Sequence, residues 1–264
     1  MIHKTAIVSP KAKIASDVEI GAYCIIEDDV EISQGTKIHN HVSIHGPTII
    51  GENNTFYPHS VIGHDPQDKK YENEKSFLYI GDHNTIREYV TINRGTKASA
   101  DTSHNGFGET RVGSHCWIMA SSHIAHDCIV QDNVIIANGT TLGGHVLIEQ
   151  SAVLGGYTLV HQFCSIGAFC ISGGGSVITQ DIAPFSQVVG NRSRLVGINK
   201  VGLDRNNDFS EEEIKIICHI FKYFFRSSLS KNEALDTIEK EFGTFPWAQH
   251  FIKFVNNSTR GICR

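Results

Sequence analysis

Stepping by six from Ile2 lands on Val8, Ile14, Ile20, Ile26, Ile32, Ile38, Ile44, Ile50, Phe56 and Ile62, an unbroken apolar series. The phase resumes at Ile80, Ile86 and Ile92. It resumes again at Val112 and runs through Ile118, Ile124, Val130, Ile136, Leu142, Ile148, Leu154, Val160 and Ile166. Ser172 breaks it and Ile178 closes it. A helix needs apolar spacings of three and four, and a half-buried strand a spacing of two. A period of six fits neither. It predicts an all-β left-handed parallel β-helix built from hexapeptide repeats, in which three hexads make one triangular coil and each supplies a short strand and a corner. The residue four places beyond each apolar stop is mostly small or β-branched (Ala6, Ala12, Val18, Cys24, Val30, Thr36), as the narrow space near a corner requires.

The repeat accounts for most of the cysteines. Cys24, Cys116, Cys128, Cys164 and Cys170 fall in the small-residue slot, where a free thiol behaves as a small hydrophobe. Seven cysteines without a CxxC pair read as neither a disulfide framework nor a zinc ribbon, and a reducing cytoplasm is expected. No apolar run of 18 residues is present, and MIHKTAIVSP has no leader-like apolar stretch. A net charge of -5 argues against nucleic acid as a partner.

Two polar stretches, 63–79 and 97–110, are expected to leave the coil as loops, and loops this long are usually functional or disordered. The β-helix is assigned to 1–190 and a C-terminal α-helical domain to 191–264. In the latter, Ser210 with Glu213 and Ser230 with Glu233 form capping boxes, and Phe209 can staple to Ile214. Gly243 suits a C-cap and Pro246 a helix start. Residues 200–264 carry ten Lys/Arg against nine Asp/Glu, so they are the more basic end of an acidic chain.

Chemistry concentrates in SSHIAHDC at 121–128. Residues 18 apart stack in a triangular coil, so His123, His126, His145 and His161 are expected along one edge of three coils. Gly143-Gly144, Gly155-Gly156 and Gln162 are assigned to the same edge. A lone histidine at a corner is ordinary surface, whereas four beside exposed glycine amides suggest a site. Three imidazoles could hold zinc with an open position, and His59 and His64 supply a His-x4-His element. Alternatively, a histidine could take the proton of a hydroxyl attacking a thioester, with a glycine N–H receiving the oxyanion.

The chain resembles the UDP-N-acetylglucosamine O-acyltransferases of lipid A biosynthesis. The resemblance rests on IGHDPQDKKY at 62–71, IREYVTINRGT at 86–96, HIAHDC at 123–128, GGH at 143–145, VHQFC at 160–164, GN at 190–191 and the terminal STRGICR. The hexads begin at Ile2, so the globular domain that precedes the β-helix in the related N-acyltransferases is not expected. The resemblance implies transfer of a 3-hydroxyacyl chain from acyl carrier protein to the 3-hydroxyl of UDP-N-acetylglucosamine, by a homotrimer with sites between subunits, without cofactor or metal. It places the general base on His126, an orienting carboxylate on Asp127 and the oxyanion donor on the Gly144 N–H. Adjacent side chains on a strand diverge, so contact between His126 and Asp127 requires a turn. His123, His145, His161 and Gln162 would line the sugar and pyrophosphate site, with Asn199 and Arg205 on the nucleotide phosphates. Asp68 and Lys70 would reach substrate from a neighbouring subunit, and Gly174, within Gly173-Gly174-Gly175, would leave room for a long acyl chain. Departures from the commonest pattern are Asn93 in place of histidine, Asn206 in place of a second arginine, and the long 97–110 loop.

Overall fold

The computed structural model describes residues 1–97, 108–205 and 209–264. Short strands stack in parallel with partners 18 residues apart, as in the series Ile124↔Leu142, Leu142↔Val160 and Val160↔Ile178. Among the described residues they form three sheets of nine, eight and ten strands, the faces of a left-handed parallel β-helix. The hexad explains each strand. One residue points outward and the next inward, as in Glu19–Ile20 and Lys37–Ile38, where the first is exposed and the second buried. The stacked aliphatics Ile26, Ile44, Ile62, Ile92, Ile124 and Leu142 are all buried, each stabilising the coil by about 1.5–3 kcal/mol. The five cysteines of the repeat are buried with them.

The corners need a backbone conformation that most side chains avoid. Eighteen non-glycine residues among those described have positive φ, and nearly all stand at corners. Each costs on the order of 1–2 kcal/mol, which helps explain the recurrence there of Asn, Asp and His. Stacking along the columns they form offsets part of that cost. His41 and His59 lie ring on ring at 5.1 Å, flanked by Tyr23 and Tyr89.

The first excluded loop is shorter than 63–79. Val61–His64 and Phe77–Ile80 are strands, so the chain leaves the coil only over 65–76. Phe77–Ile80 pairs over four residues with Glu109–Val112, which a two-residue hexad strand does not anticipate. Across the two excursions the ladder step lengthens to 30 residues (Ile62↔Ile92) and 32 residues (Ile92↔Ile124). Most of the 97–110 loop, residues 98–107, and Asn206 lie outside the described residues.

Beyond residue 190 the ten-stranded sheet continues by one strand. Arg194–Ile198 pairs antiparallel with Ser186–Val189. Among the described residues four helices follow: α1 (Lys200–Arg205), α2 (Glu211–Arg226), α3 (Lys231–Phe242) and α4 (Pro246–Asn257). Ser210 and Ser230 form full capping boxes with Glu213 and Glu233, and Pro246 opens α4. Gly243 caps α3 with a right-handed φ of -59°. It must be glycine because a Cβ would strike the Glu239 carbonyl. Ile220, Phe224, Leu235, Ile238, Phe251 and Val255 bury one another and Ala183 of the β-helix.

Candidate active site

The strands of the nine-stranded sheet run into a corner, and the 18-residue step stacks its residues in columns. His126, Gly144 and Gln162 share one column, and Asp127, His145 and Phe163 share the next. The second column has φ of 59°, 60° and 66°. That left-handed turn brings the Asp127 side chain beside its neighbour, so that His126 Nδ1 lies 2.8 Å from Asp127 Oδ2. His145 meets His126 edge-on at 5.2 Å, stacks on Phe163 at 4.7 Å, and holds Nε2 3.7 Å from Asp127 Oδ2.

Asp127 is fully buried. Thr96 donates to it twice, from N–H (3.0 Å to Oδ1) and from Oγ1 (2.6 Å to Oδ2). Its own N–H donates to Thr110 Oγ1 at 2.8 Å. Burial would raise its carboxyl, but the hydrogen bonds from His126 and Thr96 and the charge on His145 outweigh burial and hold it below the usual carboxylate range. Asp127 therefore accepts from Nδ1–H of His126, which leaves the Nε2 lone pair for a proton. Gly144 is buried against that ring. A Cβ there would stand 2.6 Å from His126 Cε1 and 2.8 Å from Nε2. No acceptor among the described residues takes the Gly144 N–H. Cys128 is no competing nucleophile, since burial pushes its thiol up to about 12.

His123 lies on the strand before the corner. Its Nδ1 is 2.7 Å from Thr91 Oγ1, and burial, then the nearby His126, lowers its pKa. His161 and Gln162 are exposed two coils beyond His126. His161 Nδ1 is 3.0 Å from the Gln162 carbonyl and 3.2 Å from Arg260 Nη2; it can donate to the first or accept from the second, not both. Arg260 was not singled out from the sequence; 99 residues separate it from His161. Asp68 and Lys70 share a turn, Lys70 N–H donating to Asp68 Oδ1 at 3.0 Å. With Tyr71, Glu74, Thr96 and Lys97 they line a cleft of about 320 Å³. Arg205 is exposed at the end of α1. Asn199 is buried; its Nδ2 donates to the Phe169 carbonyl and its Oδ1 accepts from Gly202 N–H, so its side chain anchors the start of α1.

One expectation is corrected. Gly155-Gly156 follow the ten-stranded sheet, not the nine-stranded one, and share their corner with Gly173-Gly174-Gly175. Twelve residues separate Gly143 from Gly155, which is two corners and not a full coil. His59 precedes one strand and His64 ends it. His59 stacks on His41 and Tyr89, and His64 packs against His45 at the strand's other end, so they do not converge. The donor atoms of His126, Asp127 and His145 do lie within 4.8 Å of one another, a spread a metal could use. The 2.8 Å contact joins two of those donors directly as a hydrogen-bonded dyad.

A hexapeptide β-helix with a histidine–carboxylate dyad over an uncommitted glycine amide defines an acyltransferase of the hexapeptide class. The chain belongs to the UDP-N-acetylglucosamine O-acyltransferase family. The family model described as Udp N-acetylglucosamine O-acyltransferase, Domain 2, matches residues 181–263, and the bacterial transferase hexapeptide model matches 29–64 and 109–144. The acyl-[acyl-carrier-protein]–UDP-N-acetylglucosamine O-acyltransferase of Thermodesulfovibrio yellowstonii is 48% identical over 100% of this chain and 99% of its own. That of Syntrophobacter fumaroxidans is 46% identical with the same coverage. The crystal structure of the UDP-N-acetylglucosamine O-acyltransferase of Moraxella catarrhalis is 40% identical, covers 100% of this chain and 99% of that one, and has a TM-score of 0.94.

Proposed function

We propose that the protein transfers a 3-hydroxyacyl chain from acyl carrier protein to the 3-hydroxyl of UDP-N-acetylglucosamine, the first step of lipid A biosynthesis, with His126 as general base. The observation that carries this reading is the dyad: Nδ1 of His126 bonded to a buried carboxylate, and Nε2 beside the Gly144 backbone. His126 Nε2 takes the proton of the sugar hydroxyl as its oxygen attacks the thioester carbonyl carbon. The tetrahedral oxyanion accepts from the Gly144 N–H. As the C–S bond breaks, the imidazolium returns the proton to the departing thiolate. Asp127 stabilises the imidazolium in between and holds the tautomer.

His123, His145, His161 and Gln162 line the acceptor side in this reading, with Arg205 on the nucleotide and Asp68 and Lys70 supplied across a subunit boundary. In this reading the protein works as a homotrimer. Gly174 stands at the opposite corner of the nine-stranded sheet and three coils beyond His126, about 14 Å along the axis at the spacing of parallel strands. An acyl chain lying diagonally across the face would end near it. Seven free thiols suit a reducing cytoplasm.

The test is a transfer assay with UDP-N-acetylglucosamine and 3-hydroxyacyl carrier proteins of graded length, run with wild type and His126→Ala. Acylated sugar nucleotide from wild type and a loss of about a hundredfold or more in the variant are expected. An unimpaired variant, or product only from a 3-amino-sugar acceptor, would overturn the reading.

A further inference from the structure

Asp127 is held unlike His145 and Phe163, which follow it in its column. At later corners the left-handed residue donates its N–H to the backbone of the coil before: His145 N–H to the His126 carbonyl, Phe163 N–H to the Gly144 carbonyl. Asp127 has no such carbonyl available, because the preceding coil leaves the ladder after Asn93 and returns at Glu109. Two threonines bordering that excursion replace it. Thr110 Oγ1 receives the Asp127 N–H, and Thr96 gives the carboxylate two donors. We propose that Thr96 is a positioning residue of the transfer reaction, setting through Asp127 where the His126 imidazole stands and how strongly it holds a proton.

The local structure fixes Thr96 for this. Gly95 passes so close to Glu109 that any Cβ would strike the Glu109 backbone, which seats the segment against the returning strand. Gly95 N–H donates to the Phe77 carbonyl at 3.1 Å, and Lys97 N–H to Glu74 Oε1 at 3.0 Å. Just upstream, the buried Arg94 guanidinium donates to the Gly63 carbonyl, Asp65 and the Tyr71 hydroxyl. Thr96 is thus tied on both sides to the loop carrying Asp68 and Lys70 and lines the same cleft. Its two donors fix both carboxylate oxygens, so Asp127 cannot rotate away from Nδ1. The titratable groups facing the dyad are His145 on the next coil and His123 on the preceding strand; neither makes a hydrogen bond of this length to the carboxylate.

The inference rests on the proposed base, and the experiment separates the two. Thr96→Val keeps shape and backbone N–H but removes the hydroxyl; Thr96→Ser keeps the hydroxyl; His126→Ala is run alongside. A hydrogen bond to a buried charge is lost, so Thr96→Val should lower kcat about ten- to hundredfold with little change in KM. With one donor fewer, the carboxylate pulls harder on the Nδ1 proton and the acid limb of the pH–kcat profile should move to higher pH. Thr96→Ser should restore both. Wild-type kcat and pH profile in Thr96→Val, with His126→Ala inactive, would overturn the role of Thr96 alone. Equal impairment of Val and Ser variants with an unmoved acid limb would also overturn it, assigning Thr96 to loop packing. An active His126→Ala would remove the base itself.

Discussion

Gly144→Ala tests the packing of the dyad with the smallest possible change. The backbone there lies outside the left-handed region, so alanine introduces no conformational strain. Its Cβ, however, falls 2.6 Å from His126 Cε1 and 2.8 Å from Nε2. Carbon contacts settle near 3.5–4.0 Å, so the ring must withdraw by roughly 1 Å. It cannot do so and keep the 2.8 Å bond to Asp127, which Thr96 and Thr110 hold in place. A displacement of about 1 Å from productive geometry costs on the order of a hundredfold in rate. The overpacking itself should destabilise the fold by about 1–3 kcal/mol, visible as a lower Tm of a still folded protein. The N–H of residue 144 survives the change, so the loss reports on the imidazole and not on the oxyanion donor. The assay is steady-state transfer at saturating donor and acceptor, with kcat and KM resolved. A kcat within about twofold of wild type would refute the idea that the imidazole's position against Gly144 matters to the chemistry.

Other outcomes follow from the same geometry. Asp127 has a lowered carboxyl pKa in the fold, so its contribution to stability is present above the unfolded value of about 3.9 and is lost as pH falls through the folded one. The stability gap between wild type and Asp127→Asn should therefore be flat near neutrality and narrow below about pH 4, measured by denaturant titration; a gap that widens on acidification would contradict the charge assignment. Because a hydrogen bond already joins His126 to Asp127, dialysis against a chelator should leave the transfer rate unchanged, and a rate restored only by added divalent metal would point to a metal centre. Gly174 is exposed and a Cβ there would meet only the Gly156 carbonyl at 3.3 Å, so Gly174→Met should fold and shift the preferred donor to shorter chains. An unchanged length preference would remove Gly174 from the acyl path.

The coil was legible in the sequence because burial repeats along it: one inward aliphatic per six residues marks nearly every strand. Its limits are equally physical. Residues 63–64 and 77–79 read as polar loop, yet they are strand because pairing with neighbouring coils extends past the hexad. The histidine edge was readable from the 18-residue step, and Gly155-Gly156 were misplaced where a 12-residue step was read as equivalent. The contact between His126 and Asp127 was not derivable from strand geometry, since it depends on the φ of 59° at Asp127. Thr96 and Arg260 lie in stretches that carry the resemblance, but nothing local gives their roles. Each reaches its partner only because the chain returns after 31 and 99 residues.

The two excursions divide the molecule into places where length matters and places where it does not. Between Val112 and Ile178 the coil closes every 18 residues, and one residue inserted between His126 and Gly144 would put the two coils out of phase and part them. At 65–76 the chain steps off the ladder and rejoins it in register, so Ile62 still faces Ile92 whatever the detour contains. Additions there would lengthen only the detour. The loop around Asp68 and Lys70 can therefore change length without breaking the ladder, but its contacts through Asp65, Tyr71 and Glu74 to Arg94 and Lys97 make its conformation felt at Thr96, and so at the dyad two coils on.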